Sequence, residues 1–292
     1  PITQLGDYQL TKTQQSQGEH KVEVEHQKAA LQITDTRTLH SERQERILGL
    51  YWRSFVSSFA PLEHQYASRV RRFFFELRSQ SLTALLHLYG ERALGPGEIA
   101  SVWTVWYATA KRQIQVISEP FFQAAYKSGG KMLLGEINVS EDLFLESQAS
   151  RQFLAGKLIK VVGIVDTVKE QLRETLTEGL GKNESLTENA DRVRAVFNAS
   201  ANRAKTIART EIGQSISGGR YESMIQQSVI KSMWLSSRDA HVREAHAPGT
   251  GVDGEVREVG KPFSNGLLYP LDVNGPASQT VNCRCVATPI VS

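Results

Sequence analysis

Apolar residues recur at helical spacing through most of the first 220 residues, then give way to short β-branched runs punctuated by turns. From Glu42 to about His87, Ile47, Leu48, Tyr51, Trp52 and Phe55 fall on one helical face. Pro61 predicts the first turn of a second helix, where its missing N–H costs nothing. Tyr66, Val70 and Phe73 to Phe75 form the apolar side of that helix. Leu94-Gly95-Pro96-Gly97 predicts a break. A further helix then carries Ile99, Val102, Trp103, Trp106 and Tyr107, and Ser128-Gly129-Gly130 predicts its interruption. The helical pattern resumes near Glu141 and runs to Gly179 through Leu154, Leu158, Val161, Val165, Val168 and Leu172. Ser185-Leu186-Thr187-Glu188 is a capping-box signature. Behind it come Val193, Val196, Phe197, Ala204, Ile207, Ala208, Ile212 and Ile216, with a pause near Asn198 to Asn202 and an end or pivot at Gly218-Gly219.

Beyond this point, Val229 to Leu235 reads as a strand. Asp253-Gly254, between Val252 and Val256, is a hairpin signal. Asn265-Gly266 and Asn274-Gly275-Pro276 are further turns, and Thr280 to Val291 is the last strand. The expected fold class is α+β: a mainly helical N-terminal region followed by a small mixed α/β-sheet C-terminal module. Residues 1–40 form a polar arm, extended or partly disordered. Residues 41–150 form the helical region, and residues 151–292 the C-terminal module.

An apolar content of 40% and a charged content of 22% suit a folded chain of 292 residues. The formal net charge of +3 leaves no large basic arm, so nucleic-acid contact would need a local patch. Arg69, Arg71, Arg72 and Arg78 form one such candidate, and Lys157 to Lys160 another. The alternative is a solvated face beside a core stripe. No hydrophobic leader precedes a cleavage site, and the apolar stretch from Val102 to Ala110 falls short of the roughly 20 residues that span a bilayer.

The two cysteines, Cys283 and Cys285, cannot build a disulfide framework. A bond between them would close a very small ring. On an extended backbone a Cys-x-Cys pair points both sulfurs to one side. They are candidate soft ligands for zinc, with His246 as a third and Asp239 or His241 as a fourth. The competing expectation packs both thiols in the core, with Val281 and Ala287 facing the same way.

Asp239, Arg243 and His246 lie four and three residues apart, on one face if that segment is helical. A carboxylate orienting a histidine base is one reading; an Asp–Arg ion pair that orders a loop is the other. No recognisable elbow marks a Ser or Thr nucleophile. Arg209-Thr210-Glu211 interrupts an apolar helical stretch. Arg209 would anchor Glu211 or a carboxylate of the sheet region, fixing helix to sheet, or would bind a substrate.

Taken in order, these residues resemble the phage Mu F-like family of minor head proteins, also called phage head morphogenesis proteins. The resemblance rests on Ile207-Ala208-Arg209-Thr210-Glu211, Trp234, Asp239-Ala-His-Val-Arg243-Glu-Ala-His246, the Asp253-Gly254 turn, Phe263, Tyr269-Pro270 and Asn282-Cys283-Arg284-Cys285. It covers roughly residues 155–288. It implies a virion component made in the bacterial cytoplasm, located in the phage head near the portal, that acts in head assembly, DNA packaging and genome delivery. The implied partners are the portal protein, other capsid or scaffold proteins and phage double-stranded DNA, with no membrane anchor. The expected role is structural rather than catalytic. Arg209, Glu211, Trp234, Asp239, Arg243, His246, Asn282 and Arg284 would form a locking constellation, with zinc as the candidate cofactor. The rival is a metal-dependent hydrolase or toxin-like module using His246 and Asp239.

Overall fold

A computed structural model describes residues 42–91, 96–140, 147–237 and 239–290, without the side chains of 42–44 and 88–105. The N-terminal arm therefore lies outside the described residues, as do the side chains of Ile99, Val102 and Trp103. Among the described residues, six long helices come first: α1 (Glu42–Glu91), α2 (Pro96–Glu136), α3 (Gln148–Val161), α4 (Gly163–Gly181), α5 (Leu186–Asn202) and α6 (Ala204–Gln226). A small sheet follows, built from β1 (Lys231–Leu235), β2 (Val256–Glu258) and β3 (Val286–Ile290), with the short helix α7 (Ala277–Thr280) between the last two strands. The mainly helical front and small C-terminal sheet are the architecture that the periodicity implied.

Several helix ends expected from the sequence do not occur. Pro61 lies inside the continuous helix α1. Proline there leaves the Ser57 carbonyl without its helical donor, but Phe55, Phe59, Tyr66 and Val70 are all buried on either side. Tertiary burial of that face outweighs the local cost. Ser128-Gly129-Gly130 lies within α2, and Gly218-Gly219 within α6. Gly129 and Gly219 stand at the contact between the two helices, while Gly218 faces the Phe153 ring of α3. A Cβ on Gly129 would sit 2.1 Å from the Ile216 carbonyl oxygen, and one on Gly219 would sit 2.0 Å from that of Tyr126. The pairing of 129 with 216 and of 126 with 219 makes α2 and α6 antiparallel neighbours. Here glycine permits close backbone approach rather than breaking a helix. The stretch from Glu141 to Gly179 is also divided, since α3 ends at Val161 and α4 begins at Gly163.

The capping box forms as read: Ser185 accepts from the Glu188 N–H, and the Glu188 carboxylate accepts from the Ser185 N–H. The pause before α6 falls at Arg203.

The sheet order is β2-β1-β3, antiparallel throughout, with Met233 opposite Val256 and Trp234 opposite Ala287. Asp253-Gly254 is not a hairpin turn between strands at Val252 and Val256. Gly254, at φ +78°, feeds β2, and its N–H donates to the Trp234 carbonyl at 2.8 Å. Val252 is instead buried against Trp234 and Phe263. The last strand is shorter than expected, because Thr280 ends α7 and residues 281–285 are turn and irregular backbone, so that the strand begins at Val286.

One large core runs from Leu48 in α1 to Val286 in β3, crossing residue 150. A buried charge cluster lies where α1, α2, α6 and β3 meet. Arg220 donates to both Glu136 oxygens (2.7 and 2.8 Å), to Tyr51 Oη (2.8 Å) and to the Ala287 carbonyl (2.9 Å). Tyr51 in turn donates to Glu136 at 2.8 Å. Arg220 and Glu136 are each 2% exposed. Burial opposes the Arg220 charge, but the Glu136 carboxylate and Tyr51 outweigh it, and the guanidinium stays firmly protonated. Burial also pushes the Tyr51 hydroxyl well above its usual range.

Removing one partner strands the other charge in the interior. Glu136→Ala is expected to lower unfolding free energy by about 3–5 kcal/mol, read as a lower urea midpoint. Two glycines give a contrasting pair. Gly156 has nothing within 4 Å of a built Cβ, so Gly156→Ala should stabilise α3 by about 0.5–1 kcal/mol. Gly219→Ala should instead destabilise by about 1–3 kcal/mol, because the α2 backbone cannot yield as a side chain would. Thermal denaturation of the two variants side by side checks both.

Candidate functional site

The site gathers at the end of the second, smaller core, where Trp234, Val252, Phe263, Leu267, Leu271, Cys283 and Cys285 are buried together. It is built by five segments: α1, α6, the excursion after β1 as far as residue 252 (residue 238 lies outside the described residues), α7, and the Asn282-Cys283-Arg284-Cys285 stretch before β3.

That stretch is not a strand. α7 ends at Thr280, and Asn282 takes φ +61°, the left-handed conformation that stops a helix and that asparagine tolerates better than most residues. Val281 is consequently 39% exposed rather than inward-facing. The sulfurs still converge, through the turn rather than through strand alternation. The Cys285 N–H donates to Cys283 Sγ at 3.4 Å.

Each residue of the stretch is held. Asn282 Oδ1 accepts from Arg209 Nη1 at 2.7 Å, and its N–H donates to Thr210 Oγ1 at 2.9 Å. The Arg284 carbonyl accepts from Trp52 Nε1 at 2.8 Å, across from α1. The Arg284 guanidinium lies 3.3 Å from Asp239 Oδ2. Arg243 donates to the Val281 carbonyl.

Arg209 and Thr210 thus fix helix to sheet region as expected, through Asn282, but the charge partners differ. Arg209 pairs with Glu63 of α1 at 3.3 Å as well as with Asn282, not with Glu211. Glu211 faces the other way, toward Lys157 of α3. Lys157 is 1% exposed, also donates to Gln214 Oε1 at 2.6 Å and lies over the Phe122 ring. Burial holds its pKa below the ordinary lysine value, against the pull of Glu211. Its ammonium is thus removed from the basic patch assigned to Lys157 to Lys160. Lys160 donates to the Val273 carbonyl and to Asn274.

The expected Asp239–Arg243–His246 helical face does not form. The segment is turns with a single 3-10 turn at Glu244–His246. The Asp–Arg pair that orders it is Asp239 with Arg284, not with Arg243. Asp239 Oδ1 accepts from the His241 N–H at 2.9 Å and lies 3.4 Å from Ser237 Oγ. His241 itself is exposed.

His246 is 1% exposed. Its Nε2 lies 2.6 Å from Gln279 Oε1, while Nδ1 lies 3.6 Å from both Cys283 Sγ and Cys285 Sγ. The Trp234 ring stands edge-on to the imidazole, with centroids 5.0 Å apart. His246, Cys283 and Cys285 form a group whose ligand atoms all lie within 4.8 Å of one another. Asp239 is not in that group, and nor is His241. Cys283 is held well below the usual thiol range by its hydrogen bond to Cys285, against burial and with help from His246. Cys285 is pushed up by burial and by Cys283. A cavity of about 30 Å³ adjoins the group, walled by Arg209, Asp239, Arg243, Asn282 and Arg284 among others.

The sequence did not reveal Trp52, Glu63 and Gln279 as parts of this site. Gln279 had a faint signal, three residues before Asn282. Trp52 and Glu63 had none, since they belong to α1. The Arg69, Arg71 and Arg72 side chains are exposed on α1. Arg78 is half-buried, donating to Asn198 Oδ1 at 3.1 Å and lying over Phe75.

A long helical scaffold clamping a small sheet whose last turn presents two thiols to one imidazole defines a class of locked α+β module. Residues 166–288 match the family model described as Phage Mu protein F like protein. Over this segment the chain is similar to the phage Mu F-like family. It is 30% identical over 135 residues to the NAD(+)--arginine ADP-ribosyltransferase EFV of Enterococcus faecalis (strain ATCC 700802 / V583), covering 43% of this chain and 26% of that protein. It is 24% identical over 189 residues to the uncharacterized protein YqbB of Bacillus subtilis (strain 168), covering 62% of this chain and 61% of that one. The chain thus spans less than two thirds of either relative. No solved structure matches it significantly.

Asn282 offers a direct probe of the turn. Asn282→Gly keeps the left-handed backbone but loses the Arg209 contact, at an expected cost of about 1 kcal/mol. Asn282→Val adds a backbone penalty of about 1–2 kcal/mol, because a β-branched residue resists φ > 0. Urea unfolding of both variants would give that order.

Proposed function

We propose that this chain is a structural minor head protein of a tailed phage, acting in head assembly rather than as an enzyme. In this reading, residues 41–150 supply the surface that docks on the portal or inner capsid. The Mu F-like segment is a locked module held against them. Portal, capsid and scaffold proteins are its partners, and packaging and genome delivery are the steps it serves. The observation that carries the reading is the family match over residues 166–288. The site's own chemistry supports it, because its polar side chains are spent on intrachain contacts.

A metal-dependent hydrolase or toxin-like module built on His246 and Asp239 would need a base free to take a proton. Instead the two imidazole nitrogens face Gln279 and the thiols, and Asp239 faces Arg284. The ADP-ribosyltransferase relative does not favour the hydrolase either: it is named for a different activity, and the overlap takes in 26% of that protein. Contact with phage double-stranded DNA, where it occurs, would run through the exposed Arg69, Arg71 and Arg72, and would weaken steeply with salt. Among the described residues no helix is long and apolar enough to cross a membrane.

The test is particle composition. Quantitative mass spectrometry of purified heads and tailed particles should find the chain at low copy in both. Arg209→Ala, which frees Asn282 and Glu63 together, should reduce its incorporation several-fold. Absence of the wild-type protein from heads would refute the assignment.

A further inference from the structure

The His246, Cys283 and Cys285 side chains converge as three candidate ligands. A tetrahedral zinc ion has metal–sulfur distances of ~2.3 Å and metal–nitrogen distances of ~2.0–2.1 Å, which places each sulfur about 3.6 Å from the nitrogen. Both sulfur-to-Nδ1 separations here are 3.6 Å. We propose that His246 Nδ1, Cys283 Sγ and Cys285 Sγ bind one zinc ion, with a water molecule in the adjoining cavity as its fourth ligand.

Four further observations support this centre. The first is the histidine tautomer. Gln279 Oε1 can only accept, so at 2.6 Å the Nε2 atom carries the proton. In the neutral ring Nδ1 is then a bare lone pair aimed at the sulfurs, the state a metal requires, and Gln279 is the outer partner that orients the ring. Secondly, thiol packing alone leaves a mismatch. Without a metal, one S–H can reach the Nδ1 lone pair and the other is left a weak contact with its neighbouring sulfur, whereas a metal ion uses all three donors at once. Thirdly, charge balances: two thiolates neutralise a divalent ion at a site where each ligand residue is at most 4% exposed. Thiolate and imidazole donors favour zinc over magnesium or calcium, which prefer oxygen.

The fourth observation concerns the remaining position. Asp239 is engaged on both oxygens, by the His241 N–H and by Arg284, and stands outside the donor group. The cavity of about 30 Å³ exceeds the roughly 10–15 Å³ that a water needs. Its polar walls, including Asp239 and Arg284, give that water hydrogen-bond partners.

The experiment uses the full chain, purified under reducing conditions from zinc-supplemented cells. Elemental analysis should find about one zinc per chain. Exchange with cobalt should give the visible bands of a tetrahedral ion and a sulfur-to-cobalt charge-transfer band. The double variant Cys283→Ser, Cys285→Ser should lose both signals. Gln279→Ala serves as a second probe that keeps both thiols in the core. It leaves every ligand in place and should weaken zinc binding roughly 10–100-fold in a chelator competition. Asp239→Asn should keep the tetrahedral cobalt spectrum, and its loss would overturn water as the fourth ligand. A folded wild-type chain that takes up neither zinc nor cobalt would overturn the centre itself, as would uptake that survives removal of both thiols. These readouts do not depend on particle assembly, so the metal centre and the head-protein role can fail separately.

Discussion

The Arg220 guanidinium is the point at which the helices and the sheet become one body. It projects from α6 and is met by Glu136 at the end of α2, Tyr51 of α1 and the Ala287 carbonyl of β3. A cation in that position is tolerable only if all of those groups arrive together, since the cost of stranding a buried charge exceeds most single contacts in a protein. The cluster therefore selects one arrangement of the four elements. Ala287 lies two residues beyond Cys285, so the same cluster sets where β3 begins and where the preceding turn must sit.

From the opposite side, Trp52 of α1 reaches the Arg284 carbonyl, and Glu63 of α1 braces Arg209. The family match begins at residue 166, yet these two braces come from well before it. The matched segment is thus supported by a helix outside it. The N-terminal helices act as a mould for the turn, in addition to any docking role they serve.

Much of the architecture was legible because burial is periodic. The apolar stripes of α1, α5 and α6 lie where helical spacing puts them, and Ser185 with Glu188 starts α5 as the capping box requires. The sequence misled where a residue has two uses. Gly129 and Gly219 looked like helix breakers, but close backbone approach is glycine's other property, and only the neighbouring helix decides between them. Pro61 looked like a helix start, yet burial on both sides carries the helix through it. At the site, the meeting of Cys283, Cys285 and His246 could be anticipated from residue types. The identity of each charge's partner could not. Asp239 takes Arg284 and Glu211 takes Lys157, pairings set by tertiary geometry that leave no local mark.

The hydrogen bond from Trp52 to Arg284 joins positions 232 residues apart. During synthesis α1 emerges first, and at ribosomal rates of about 5–20 residues per second it waits roughly 10–50 s before its acceptor exists. Throughout that interval the Trp52 indole lacks the acceptor it has in the folded chain. A nascent chain in that state is a natural client for a chaperone. It is also a species in which premature pairing of α1 with another copy would compete with the native fold.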